Sequence, residues 1–268
     1  MKNNRVRYLS ESAVCIAAAT VLNMITVIRM PFGGSVTAAS MLPLLLVSYR
    51  YGVKKGMLTG FVFSVISLMF DGSVLSFATS RTAVAAIIFL DYIFAFSSVA
   101  FGGIFKGKLS SQRTELILGT LIFSAVRYIF HVISGCTVWA GVSIPSSDGL
   151  IYSLVYNSAY MLPETAVLIA AVFYLTGIIS FDGEKLARTS VAGNKQGNIF
   201  KNIAVFMMLA VILFDMLTAF SYIQTEKGYS IENIVNAPFG LIIIVTVAGA
   251  VVSGILFILA KHKEKPSK

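Results

Sequence analysis

Four ionisable side chains interrupt the apolar stretches between residues 83 and 179: Asp91, followed by Tyr92, then Arg127 and His131 one helical turn apart, and Glu164 directly after Pro163. Aromatic and amide groups gather in the same part of the chain, with Trp139, Tyr152, Tyr156, Asn157 and Tyr160. A carboxylate among aromatic faces and hydrogen-bonding groups suits a flat cationic heterocycle. A cation over a desolvated ring gains about 2 kcal/mol or more, and a carboxylate adds a charge-assisted contact. Each residue also has a purely structural reading. Trp139 and Tyr152 fit an interfacial aromatic belt, Asp91 and Arg127 an ion pair between helices, and His131 a hydrogen bond to a neighbouring helix. Glu164 fits the backbone groups freed by Pro163, and Tyr156 and Tyr160 fit packing.

The elements that position these groups are membrane helices. The chain is 57% hydrophobic and 12% charged, with mean hydropathy +0.84, whereas a soluble domain carries about 25% charged residues. Apolar stretches run over 10–28, 36–49, 56–70, 83–105, 116–138, 151–179, 199–223 and 237–260, many of them near the roughly 20 residues that cross hydrocarbon as a helix. None alternates as a barrel strand would. The short stretch 36–49 contains Pro43 and reads as a broken or re-entrant segment, tolerated where protein or a cavity satisfies its backbone. The expected fold is therefore all-α: a polytopic bundle of six helices over 1–180, a polar cytoplasmic linker over 181–198 and a two-helix hairpin with a basic tail over 199–268.

Basic residues collect before the first stretch, around Arg50 and Lys54, around Lys106 and Arg113, in the linker and in the tail from Lys261. Because Lys and Arg accumulate on cytoplasmic loops, both termini are expected in the cytoplasm. The net charge of +9 is then a topology signal with some attraction to anionic lipid, not a sign of nucleic acid. Lys2, Arg5 and Arg7 before an apolar run resemble a signal peptide, but the run continues to Ile28 without a cleavage site and reads as the first helix. Cys15 and Cys136 lie inside spans and read as small apolar packing residues.

Motifs for chemistry fail. Gly102 to Lys108 has the spacing of a phosphate loop, yet Leu109 stands where a hydroxyl must hold magnesium, and a membrane helix precedes it instead of a strand. With only His131 and His262, a helical zinc site is impossible. No metal, cofactor or enzymatic activity is expected.

At the residues first singled out, the chain resembles the thiamine-specific substrate-binding subunits (S-components) of energy-coupling-factor vitamin importers. The matching strings run from Arg29 to Ser35, from Met41 to Pro43, Asp91-Tyr92, from Arg127 to Gly135, Trp139, from Tyr152 to Asn157 and from Tyr160 to Glu164. The resemblance implies a six-helix fold that binds thiamine near its outer face in a bacterial plasma membrane. By position in the motif it implies His131 and Trp139 as stacking groups, Tyr152 and Asn157 as hydrogen-bonding groups, Asp91 as the acidic partner and Tyr92 beside it. Phe32, or the Gly33-Gly34 loop, would act as a lid. It also implies partners, a membrane coupling subunit and two cytoplasmic ATPases, with Ala13 and Ala17 as the small-residue face that docks them. Gly52, Gly56 and Gly60 carry the same choice between docking and internal packing.

Two other readings stay open on sequence. One is a self-sufficient importer of thiamine or a precursor, driven by protons through Asp91, Glu164 or Asp215. The other is a membrane enzyme using His131 and Asp91 as acid and base. The ligand could also be the pyrimidine or thiazole half of thiamine, which would use part of the same pocket.

Overall fold

Inside hydrocarbon every backbone N–H and C=O must find a partner within its own segment, and the apolar stretches accordingly fold as helices. The computed structural model describes residues 2–30, 33–78, 80–139, 147–181, 183, 185–189, 195–225, 228–229 and 231–264. The side chains of 2, 3, 137–139, 147, 148, 195, 196, 225, 228, 229, 231 and 264 are excepted. The chain divides into two compact units, Met1–Val172 with Phe181–Leu186 and Phe173–Ser180 with Ala187–Lys268.

The first unit opens with α1 (Lys2–Met24), which passes into an antiparallel hairpin of β1 (Thr26–Arg29) and β2 (Ser35–Thr37). Next come α2 (Leu42–Tyr51) and α3 (Val53–Phe70), joined by Gly52 at φ 89°. A residue with a side chain is strained there by about 1–2 kcal/mol. A 3-10 turn (Gly72–Phe77) leads to α4 (Arg81–Gly103), α5 (Gln112–Trp139) and α6 (Ser147–Ile178).

Two of the expected spans are corrected. Within 36–49 the chain first forms β2 and then α2, whose ten residues reach only about 15 Å at 1.5 Å per residue. Pro43 stands in the first turn of α2, where its missing N–H has no helical partner to lose, so it starts the helix and does not break it. α1 begins well before residue 10 and ends before the strand that takes 26–28. Carrying Lys2, Arg5, Arg7 and Glu11, it is not among the six described helices long and apolar enough to cross a membrane. Those six are α3 to α6 and the two helices of the second unit.

The core of the first unit is built by Leu44, Leu45, Phe63, Ile87, Val99, Phe123 and Leu168. Small residues let the backbones close on it. Ser48 on α2 donates its hydroxyl to the Ala100 carbonyl at 2.6 Å and accepts the Gly103 N–H at 3.1 Å. A methyl on Gly56 would strike Ser48, and one on Gly60 would meet the Phe96 carbonyl. Gly56 and Gly60 therefore serve internal packing. The glycines of the failed phosphate loop do the same, since Gly102 and Gly103 press on Leu45 and Ser48. Cys15 and Cys136 are free thiols.

In the second unit β3 (Ile179–Ser180) pairs with β4 (Ala187–Arg188), and α7 (Lys195–Ile223) is followed by β5 (Gln224–Thr225), β6 (Gly228–Tyr229) and α8 (Phe239–Glu264). Thr246 on α8 donates its hydroxyl to Asp215 Oδ2 on α7 at 2.6 Å. Gly249 lies against Val211.

The Gly60→Leu variant is expected to lose about 1–3 kcal/mol by overpacking against α4. Thermal unfolding of the detergent-solubilised protein measures this. An unchanged midpoint would remove Gly60 from the α3–α4 contact.

Candidate solute-binding site

The polar groups of the first unit converge on a cavity of about 390 Å³, within the range of small-molecule sites. Its wall comes from the end of α1, the β1–β2 hairpin, the turn after α3, and α4, α5 and α6. α4 arrives in an irregular form. It is α-helical over Arg81–Ala86, π-helical over Ile87–Phe94, α-helical again over Ala95–Ser97 and 3-10 over Ser98–Gly103. Single π turns recur at functional sites, and this one carries Asp91 and Tyr92, both on the cavity wall.

The buried charges pair across helices. Asp91 Oδ1 lies 2.7 Å from His131 Nδ1, and Asp91 Oδ2 accepts the Ser134 hydroxyl at 2.5 Å. With a carboxylate against Nδ1, that nitrogen carries a proton, and the carboxylate fixes the orientation of the ring. Nε2 is buried without a hydrogen-bond partner among the described residues. One turn earlier on α5, Arg127 Nη1 donates to Glu164 Oε2 at 2.9 Å, and the guanidinium sits 5.1 Å above the Phe96 ring. The Thr37 hydroxyl donates to the other Glu164 oxygen at 3.1 Å, tying β2 to α6.

α6 presents a ladder on one face. Ser153, Asn157, Tyr160 and Glu164 recur at the three- and four-residue spacing that brings side chains into register. Asn157 Nδ2 donates to the carbonyls of Ser153 at 2.9 Å and His131 at 3.3 Å, while its Oδ1 accepts the Tyr160 hydroxyl at 2.7 Å. The Tyr160 ring stands edge-on to His131 at 6.2 Å and to Tyr156 at 5.7 Å. The Tyr156 hydroxyl accepts the Gly34 N–H at 3.0 Å, which lays the hairpin loop on the tyrosines. A methyl on Gly34 would come within 2.7 Å of the Tyr160 ring, so only glycine permits this approach. Asp71, just past α3, also lines the cavity; burial holds its carboxyl above the usual range, with Arg29 acting in the opposite direction.

Of the residues singled out from sequence, Asp91, Tyr92, His131, Asn157, Gly33 and Gly34 line the cavity. Tyr152 does not. Its ring stacks on Tyr156, 6.2 Å away and tilted by 8°. Phe32 and the Trp139 side chain lie outside the described residues. Ala13 and Ala17 are exposed on α1. The reading of Asp91 and Arg127 as partners is corrected: Arg127 pairs with Glu164 and Asp91 with His131. Glu164 thus answers an arginine, not a proline kink, and Tyr156 and Tyr160 are wall residues as well as packing. Sequence reasoning missed Ser134, which extends the Arg127–His131 spacing by three residues and was readable from it. It also missed Arg29, Thr37 and Asp71, which stand at span ends where no apolar pattern marks them.

These parts make a multi-pass helical membrane protein with a preformed, mixed-charge solute cavity. The sequence profile of the thiamine transporter protein family (Thia_YuaJ) matches residues 9–180, and the chain belongs to that family. It is therefore a transporter and not an enzyme. Thiamine transporter ThiT of Bacillus subtilis (strain 168) is 34% identical over 167 residues, 58% of this chain and 83% of that protein. A solved structure of ThiT from Listeria monocytogenes has the same fold, with a TM-score of 0.53 and 21% identity, over 65% of this chain and 94% of that one.

Removing Arg127 alone, as in Arg127→Ala, leaves Glu164 an uncompensated buried carboxylate and is expected to cost about 3–5 kcal/mol. The Arg127→Met, Glu164→Leu double variant should cost less than either single loss. Unfolding midpoints of the set decide it, and additive losses would show that the two side chains act independently.

Proposed function

We propose that the chain captures thiamine in this cavity from the extracellular side, as the substrate-binding subunit of an ATP-driven energy-coupling-factor importer. The observation that carries the reading is His131, held by Asp91 at Nδ1 and left with a buried, unpartnered Nε2 on the cavity wall. An aminopyrimidine carries both an N–H donor and ring-nitrogen acceptors, so it can partner that nitrogen. The thiazolium charge meets a wall with three carboxylates, Asp71, Asp91 and Glu164, against two guanidiniums, Arg29 and Arg127. Tyr92, Tyr156 and Tyr160 add aromatic surface, which favours a cation further.

In this reading His131 and Trp139 stack on the ligand, Asn157 fixes its edge, Tyr152 acts through the Tyr156 ring it stacks on, and Asp91 acts by charge and by orienting His131. Residues 33 and 34, with Phe32, cover the site. Support for the orientation comes from the two ends of α3: Lys54 and Lys55 begin the helix, and the cavity residue Asp71 follows its last turn. A basic end belongs in the cytoplasm, which turns the cavity outward and puts both termini inside. The exposed Ala13 and Ala17 permit close approach of a coupling subunit, and two ATPases would supply the energy that the failed phosphate loop cannot. Residues 1–180 form the binding domain in this scheme, 181–198 a cytoplasmic linker and 199–268 an added membrane hairpin.

Two measurements test it. Trp139 is the chain's one tryptophan, so thiamine is expected to quench its fluorescence saturably and more tightly than either half of the molecule. Asp91→Asn should weaken that binding about 10–100-fold, the scale of a hydrogen bond to a charged group; wild-type affinity in the variant would remove Asp91 from the site. In cells, thiamine accumulation through this chain should require the coupling subunit and ATPases. Accumulation that persists without them and collapses with the proton gradient would replace the scheme by a self-sufficient importer.

A further inference from the structure

A second cavity of about 320 Å³ lies in the same unit, near the start of α3 and the end of α2, away from the solute site. Four cations line it, Arg7, Arg50, Lys55 and Lys106, and no carboxylate does among the described residues. Glu11 braces two of them from behind, accepting from Arg7 Nε at 2.8 Å and Arg50 Nε at 3.0 Å. The two lysines are held differently. Lys55 Nζ stands over the rings of Tyr8 at 4.9 Å and Tyr51 at 5.4 Å, and Lys106 Nζ donates to the Arg50 carbonyl at 2.9 Å. Neither has an acidic partner among the described residues. The buried Tyr51 hydroxyl, also on the wall, faces Glu11 and Arg50.

Four cations converging on one cavity, two of them lysines without an acidic partner among the described residues, form a cradle for a compact polyoxygen anion. Lys55 lies in the first turn of α3 and Lys106 just past the end of α4, two helices long and apolar enough to cross a membrane, and basic pockets between helix ends at a membrane surface suit phospholipid headgroups. We propose that this cavity is a phosphate-binding site, occupied in the membrane by the headgroup of an anionic phospholipid. Arg7 and Arg50, braced by Glu11, shape the floor, while Lys55, exposed at the rim, and Lys106 reach the phosphate.

The test uses the full chain in nanodiscs of phosphatidylcholine with or without phosphatidylglycerol, followed by native mass spectrometry of retained lipid. Phosphatidylglycerol is expected to be retained in preference to phosphatidylcholine. Each lysine removed, Lys55→Gln or Lys106→Gln, should lower that preference about fivefold, and the Lys→Arg variants should restore it. Thiamine binding by the same samples reports that the variants are folded. Equal retention of the two lipids, or a preference untouched by the double variant, would overturn the proposal. If inorganic phosphate alone stabilises the protein through both lysines while phosphatidylglycerol does not, free phosphate is the ligand and the lipid assignment falls. If the double variant keeps its lipid preference but loses uptake with the coupling module, the cavity serves an acidic protein partner and the lipid site is discarded.

Discussion

The ion pair between Arg127 and Glu164 is largely withdrawn from water, with both residues under a tenth exposed although both line the cavity. A charge in that position is tolerated only when it is paired and hydrogen-bonded. That requirement organises the first unit. The pair fixes α5 against α6, and Thr37 brings the β1–β2 hairpin to the second oxygen of Glu164. One turn along α5, Asp91 answers both His131 and Ser134 and so fixes α4 as well. Three helices and a hairpin are thereby held in one arrangement before any solute arrives. Groups already ordered in the free protein lose little further freedom on binding, and that is how a small cavity converts contacts into affinity.

Most of this was legible in the sequence at the level of elements and much less at the level of partners. Long apolar runs can only be helices in a bilayer, so α3 to α8 follow from composition and length. The run 36–49 does not obey that logic, because a short apolar segment has no periodicity that separates strand from helix. It holds a strand end, a turn and the short α2. The pairing of charges fails for a related reason. Sequence spacing fixes which residues share a face of one helix, not how neighbouring helices are rotated. In α4 the π turns of Ile87–Phe94 shift that rotation locally, and Asp91 meets His131, not Arg127. Arg29, Thr37 and Asp71, contributed from the ends of spans, fall outside any helical periodicity that would assign them to a common face.

The second unit shows the same physics with fewer parts. The spans of α7 and α8 bury only 11% of their residues, against 33–44% for the four spans of the first unit. Apolar contact with lipid and with another helix are nearly equivalent, so such a pair cannot rely on hydrophobic burial to choose its register. A polar contact can. Thr246 donates to Asp215 across the two helices, while Gly249 lets Val211 approach closely. A one-residue slip would separate the hydroxyl from the carboxylate in hydrocarbon and put a side chain where the glycine stood. The register of α7 on α8 therefore rests on very few atoms. That is enough because the alternative arrangements leave a carboxylate without a donor.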